Sequence, residues 1–408
     1  MSATSSYPLA GIRVLDLSRI LAGPVCTQLL ADLGADVVKI ERPGSGDDTR
    51  HWGPPFAPDG TSGYFLSCNR GKRSVALELQ CEPGQRVLAE LVRRADVLVE
   101  NFLPDSLARL GLQPERLLAL NPRLVIASIS GFGRTGPWAG LPGYDLMIQA
   151  ACGLMAITGE PDGRPMKTGV AITDVITGLY AAAAVLAGLV ARGKASAQGG
   201  WAFDLALADC TLASLVNVAQ DVLLTNRPPR RYGNAHPHIV PYESFATADG
   251  HIVLAIGSDR QWQRFCQAVG KQQWAEDARF ATNPQRVQNR AVLIPLLQAL
   301  LAGRTTAEWR DLLAQAEIPH SPVLNVDAAL ATPQAQARGM VWPADGPDEV
   351  PLLGSALHWH GQPSSRGRRP PLLGQHTAEV LKEWLEYSDE QVADLASQRI
   401  VEIRAGGT

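Results

Sequence analysis

From residue 12 to residue 130 the chain alternates short apolar runs with helix-like segments, and few folds accept that rhythm. "IRVLDL" (12–17), "DVVKIE" (36–41), "DVLVEN" (96–101) and "LVIASIS" (124–130) read as strands, apolar enough to be buried on both faces. Between them "GPVCTQLLADLGA" (23–35), "PGQRVLAELVRRA" (83–95) and "PERLLAL" (114–120) read as helices. A strand that returns parallel to its predecessor needs a crossover helix, so the repetition predicts a doubly wound α/β sheet.

Further on, "GWAFDLAL" (200–207) reads as another strand and is followed by helix to about residue 224. The composition then turns to Pro, Arg and His in "TNRPPRRYGNAHPH" (225–238), the pattern of a linker. "YESFATADGHIVLAIG" (242–257) reads as a hairpin turning at "ADG", with helices near 259–269, 290–302 and 306–316, which together suggest a smaller α+β domain. The tail is expected to hold a short β-like region and a final helix from about Thr377 to Leu385.

Several function classes are disfavoured. With 46% hydrophobic and 19% charged residues and a net charge of -3, the chain reads as globular, without a global pull toward nucleic acid or anionic membrane. Its six cysteines form no CxxC pair, and His236/His238 and His358/His360 join no metal-ligand pattern, so no metal and a reducing, cytoplasmic compartment are expected. No secretory signal is read at the N-terminus. Glu41, ending the second strand, invites a ribose-binding role. The first turn, however, is "SRILAGP" rather than GxGxxG, which speaks against NAD.

One carboxylate stands out. "TGVAITDVITGLYAAAAVLAGLVARG" (168–193) places Asp174 before a run of apolar and small residues. The run from 175 to 191 is shorter than the ~20 residues of a membrane span and reads as a buried helix. Asp174 is then either its N-cap or a carboxylate kept from water, its anion stabilised by free amides and the helix dipole. Such an anion can act as a nucleophile without a base. Arg42 and Arg109 follow strand ends, where an open sheet binds ligands, and suit phosphate, with solvated surface duty as the alternative. "GFGRTGPWAGLPGYD" (131–145) is either a plain turn or a loop that covers a ligand.

Taken together, "RVLDLSRILAGP", "LADLGADVVKIERPGSGDDTR", "NRGKRSVALEL", "VENFLPDSLARLGL", "ISGFGRTGP", "GYDLMIQAACGLMAITG", "VAITDVITGLYA" and "PPLLGQHTAEVL" resemble the class III CoA-transferases. That family also contains the α-methylacyl-CoA racemases. The matches run in the family's order from about residue 11 to residue 385.

The resemblance implies a Rossmann-like large domain built from both chain ends (1–224 and 331–408), a small α+β domain (225–330), and an interlocked homodimer. It implies that Asp174 is catalytic and carries CoA as a thioester, and that CoA is touched by Leu21, Ala22, Arg42, Leu77, Asn101, Phe102, Leu103, Arg109 and Tyr144. Gln80 stands where relatives often carry a basic residue. The segments 230–242 and 322–340 look most like the branch that uses succinyl-CoA and glutarate, and Arg70, His236 and His238 are candidates for the distal carboxylate. No permanently bound cofactor is implied; CoA is substrate and covalent intermediate. The rivals are a racemase on the same fold, whose histidine position is here Tyr144, and an acyl-CoA-binding protein without catalysis.

Overall fold

The computed structural model describes residues 7–193, 199–344, 346, 349–359, 362–363 and 368–404; His360 and the first six residues lie outside that set. The strands β1 (Arg13–Asp16), β2 (Asp36–Glu41), β3 (Lys72–Leu77), β4 (Val97–Glu100), β5 (Val125–Ser130) and β6 (Trp201–Ala206) form one parallel sheet in the order 3-2-1-4-5-6. A short strand, Val401–Glu402, pairs antiparallel with the outer edge of β3.

The continuous apolar runs have a simple cause. Register places Val37, Val14, Val97 and Val125 in one row across the sheet. They pack under the first helix, Ala22–Asp32, and the long helix, Ile172–Arg192. Their neighbours Val38, Leu15, Leu98 and Ile126 point the other way, against the helices Glu82–Arg94 and Thr377–Leu385. Both faces are covered, so neither carries an alternating polar row. The chain leaves β1 in opposite directions toward β2 and β4, and a crevice opens beyond the carboxyl ends of those strands.

Residues 7–154 and the described parts of 168–220 and 333–404 make one compact unit; residues 155–167 and 221–332 make a second. The second has its own antiparallel sheet (Tyr242–Ala246, His251–Ala255, His320–Pro322) and a core built on Phe245, Trp262, Phe265 and Trp309. Residues 155–167 were expected in the large domain and belong instead with this unit. Arg231 ties them there by donating to the carbonyls of Ala156, Glu160 and Gly163.

Two other expectations need correction. The helix Thr377–Leu385 is not the last. Asp389–Ser397 follows, opened by a reciprocal capping box between Ser388 and Gln391. Nor is the long helix buried all round. Thr177, Gly178, Ala181, Ala182, Val185 and Gly188 are buried, while Leu179, Tyr180 and Val190 are exposed. Its small residues select the buried face, because they let a neighbouring backbone approach. A Cβ on Gly178 would lie 2.6 Å from the carbonyl oxygen of Ala22.

Candidate active site

Two adjoining cavities, about 810 and 960 Å³, lie beyond the strand ends and share Arg19, Phe102 and Ser106. The first spreads over β2 and β3 and is lined by Arg42, Leu77 and Gln80 among others. The second covers β4 and β5 and is lined by Ala22, Asn101, Leu103, Tyr144 and Asp174.

The turn from β1 to the first helix is held from below by buried charge. Asp16 accepts from Lys72 Nζ at 2.9 Å, and Lys72 also reaches Asn69 Oδ1 and the Pro24 carbonyl. Burial by itself would raise Asp16, but Lys72 and Lys39 more than offset it and keep the carboxyl below its usual range. Lys39 Nζ pairs with Asp47 at 2.9 Å, and the Asp47 carboxylate takes the N–H of Ile20 at 3.3 Å. Ile20 has φ +71°, the left-handed region that a β-branched residue enters only under constraint. The Asn101 side chain clamps the neighbouring residue, accepting from Arg19 N–H (2.9 Å) and donating to its carbonyl (2.8 Å).

That clamped turn delivers the Ala22 backbone N–H to the Asp174 carboxylate. Asp174 is not the N-cap. Ala171 occupies the cap position, and Asp174 is the third residue inside the helix. Its environment also overturns the expectation of a stabilised anion. Burial first, and the charge of Asp145 second, push its carboxyl up from 3.8 to about 7, and the Ala22 amide only partly opposes them. At neutral pH it is divided between acid and anion. A carboxyl so displaced, in a cleft, is a candidate functional group.

A family model for CoA-transferase family III matches residues 9–377. The succinate–glutarate CoA-transferase of Agrobacterium fabrum is 44% identical over 92% of this chain and 95% of its own length. The human succinyl-CoA:glutarate CoA-transferase is 40% identical over 97% and 90%. Among solved structures, a CAIB/BAIF family protein from Brucella suis superposes with a TM-score of 0.83 at 42% identity, covering 93% of this chain and 100% of that one. The chain belongs to CoA-transferase family III. It is an enzyme, a CoA-transferase on a mixed α/β fold with a mostly parallel sheet.

The cleft runs from a cavity lined by Arg42 to one lined by the Asp174 carboxyl, with a shared wall between them. Of the residues expected at CoA, Ala22, Arg42, Leu77, Asn101, Phe102, Leu103 and Tyr144 line it. Leu21 is the residue before the first helix, next to Ala22. Arg109 is exposed and donates at 3.1 Å to Ser106 Oγ, on the wall common to both cavities. Arg19 and Ser106 line the cleft as well, and Gly131 crosses Gly143 beside it. Arg19 stands inside "RVLDLSRILAGP", a segment whose local pattern gives that residue no role.

Arg70 does not fit the role expected of it. It is buried, its Nε and Nη2 both bond the Asp32 carboxylate, and Nη1 donates to the Leu353 carbonyl. A guanidinium so paired has no fork left for a substrate. His236 and His238 belong to the second unit, where His236 Nδ1 accepts the His238 N–H at 3.0 Å and Arg290 holds the His236 carbonyl. Glu41 is also occupied, by Arg50 at 2.7 and 2.8 Å and by Ser74 at 2.7 Å, and offers no oxygen to a ribose diol.

Proposed function

We propose that this CoA-transferase moves CoA from succinyl-CoA to a dicarboxylic acid such as glutarate, through a thioester on Asp174. Asp174 itself carries the reading. It is a mostly buried carboxyl at the inner end of the cleft, with a backbone N–H on its oxygens. Similarity to the glutarate enzymes of Agrobacterium fabrum and man supports the choice of acids.

In the first step an Asp174 oxygen attacks the thioester carbonyl. The C–S bond breaks, leaving a mixed anhydride and CoA thiolate. The thiolate then attacks the aspartyl carbonyl, the anhydride C–O bond breaks, and succinate departs as its carboxylate. The enzyme now holds aspartyl-CoA. Glutarate enters and runs both steps in reverse, so no water and no net proton are consumed. The Ala22 N–H, which faces the carboxyl, is placed to steady the oxyanions; one such donor is typically worth ~3 kcal/mol. Excluding water protects both anhydride and thioester.

Arg42 and Arg109 are assigned to the phosphates of CoA, and Leu21, Ala22, Leu77, Asn101, Phe102, Leu103 and Tyr144 to the rest of it. His236 and His238 are the candidates left for the distal carboxylate. The active form is proposed to be an interlocked homodimer in the cytoplasm, its large domain built from both chain ends. The exposed apolar residues Leu179, Tyr180, Val190, Leu212 and Val216 favour a second copy, since a face of that kind is seldom left in water. CoA is substrate and transient adduct, with no resident cofactor.

The test is single turnover with succinyl-CoA, read by mass spectrometry. Wild-type protein should acquire a hydroxylamine-sensitive CoA adduct on Asp174, D174A should not, and glutarate should discharge it. H236A and H238A should discharge more slowly with glutarate than with a monocarboxylic acid. A D174A protein that still exchanges CoA between acids defeats the mechanism. Exchange of the α-proton with solvent, without an adduct, would mark a racemase. Tight binding with neither event would mark a carrier.

A further inference from the structure

The helix that carries Asp174 is closed at its start by a different carboxylate. Thr173 donates both its N–H (2.9 Å) and its hydroxyl (2.8 Å) to Oδ1 of Asp145. Asp145 opens a separate helix, Asp145–Ala151, just after the glycine-rich loop. Its other oxygen accepts from the Gln149 side chain at 2.7 Å, and the fully buried Gln149 accepts the backbone N–H of Thr168 at 3.0 Å. The turn leading into the nucleophile's helix is therefore gripped at both Thr168 and Thr173.

This arrangement solves a local conflict. A helix start leaves N–H groups unpaired, and an acidic side chain at its third position can reach back to the N-cap N–H. Such a fold-back would withdraw the nucleophile. Here the Thr173 amide is satisfied from outside by Asp145, while the Asp174 side chain lines the cleft.

We propose that Asp145 is a positioning residue for CoA transfer: it caps the nucleophile's helix in place of Asp174 and sets a fixed negative charge beside it. The proposal rests on the reading of Asp174 as nucleophile. Other ionisable groups lie near Asp174. Tyr64, on the helix Gly63–Cys68, is pushed up to about 12 by burial and by the charges of Asp174 and Asp145. Arg19 and Tyr144 line the cavity. Of these, Asp145 is the one that both bonds the helix start and raises Asp174 by its charge.

The two parts of the role separate in two variants. D145N keeps an oxygen for Thr173 and loses the charge; D145A loses both. The observable is the rate of adduct formation from succinyl-CoA across roughly pH 5 to 9. D145N should hold its plateau within about threefold of wild type while its acidic limb moves down by roughly one pH unit. D145A should lose at least about tenfold at the plateau, as expected when a nucleophile is misplaced. A D145N limb that stays at the wild-type position, or a D145A plateau equal to wild type, overturns the proposal and leaves the Asp174 mechanism standing. Wild-type protein that forms no adduct overturns both.

Discussion

Asp174 combines three properties that seldom meet in one side chain: it is mostly buried, it receives a backbone N–H, and it lies beside a second carboxylate. The first and third make its charge costly, and the cost has a sign that can be measured. Its folded value of about 7 lies above the ordinary 3.8. Between those values the folded protein keeps a proton that the unfolded chain has released, so the contribution is intact below the lower value and lost as pH rises through the higher one. The D174N variant carries no such proton. Its stability advantage over wild type should be near zero in acid and grow to the order of 2–4 kcal/mol above neutrality. Urea melts of both proteins at acid and mildly alkaline pH would show it, and a difference independent of pH would count against the raised carboxyl. The same titration predicts that kcat/KM for the acyl-CoA falls below about pH 7 as the nucleophile is protonated.

At the scale of elements, the active site depends on how closely two helices approach. The first helix brings the Ala22 amide and the long helix brings Asp174, and Gly178 lets them meet. A Cβ there would stand 2.6 Å from the Ala22 oxygen and 2.9 Å from Val25 Cβ. Backbone cannot yield as the tip of a side chain can, so G178A should push the helices apart. We expect a loss of about 1–3 kcal/mol in stability. We also expect a fall in kcat larger than the change in KM for succinyl-CoA, because the Ala22 N–H leaves the reacting oxygens. Loss of stability with unaltered kcat would mean the amide has no part in the chemistry. The ion pairs Lys72–Asp16 and Lys39–Asp47 serve the same geometry from beneath, since they hold the turn containing Ile20.

For the whole molecule, the long helix raises a question that a single chain leaves open. It is the one described helix long and apolar enough to cross a membrane, yet its small-residue face packs against the first helix and carries Asp174. Its other face shows Val190 at 66% and Leu179 at 49% exposure. A second copy of the chain is the proposed cover. Sedimentation should report a dimer at micromolar protein, and L179E together with V190E should shift it toward monomer with loss of activity. A monomer that transfers CoA at the wild-type rate would refute the homodimer as the active form.

The chain's own order of residues determined the parallel sheet, because strands covered on both faces must be apolar at every position, and that pattern is local. It also placed Arg42 just after a strand end and Asp174 at the start of the long helix. What tertiary structure alone decided is who neighbours whom across long stretches of chain. Arg70 is consumed by Asp32, thirty-eight positions away. Asp145 caps a helix that begins twenty-seven residues later. The wall of the cleft turned Asp174 from an expected stabilised anion into a carboxyl that titrates near neutrality. Periodicity records which side of an element avoids water; desolvation and charge pairing belong to the space between elements, which no local pattern encodes.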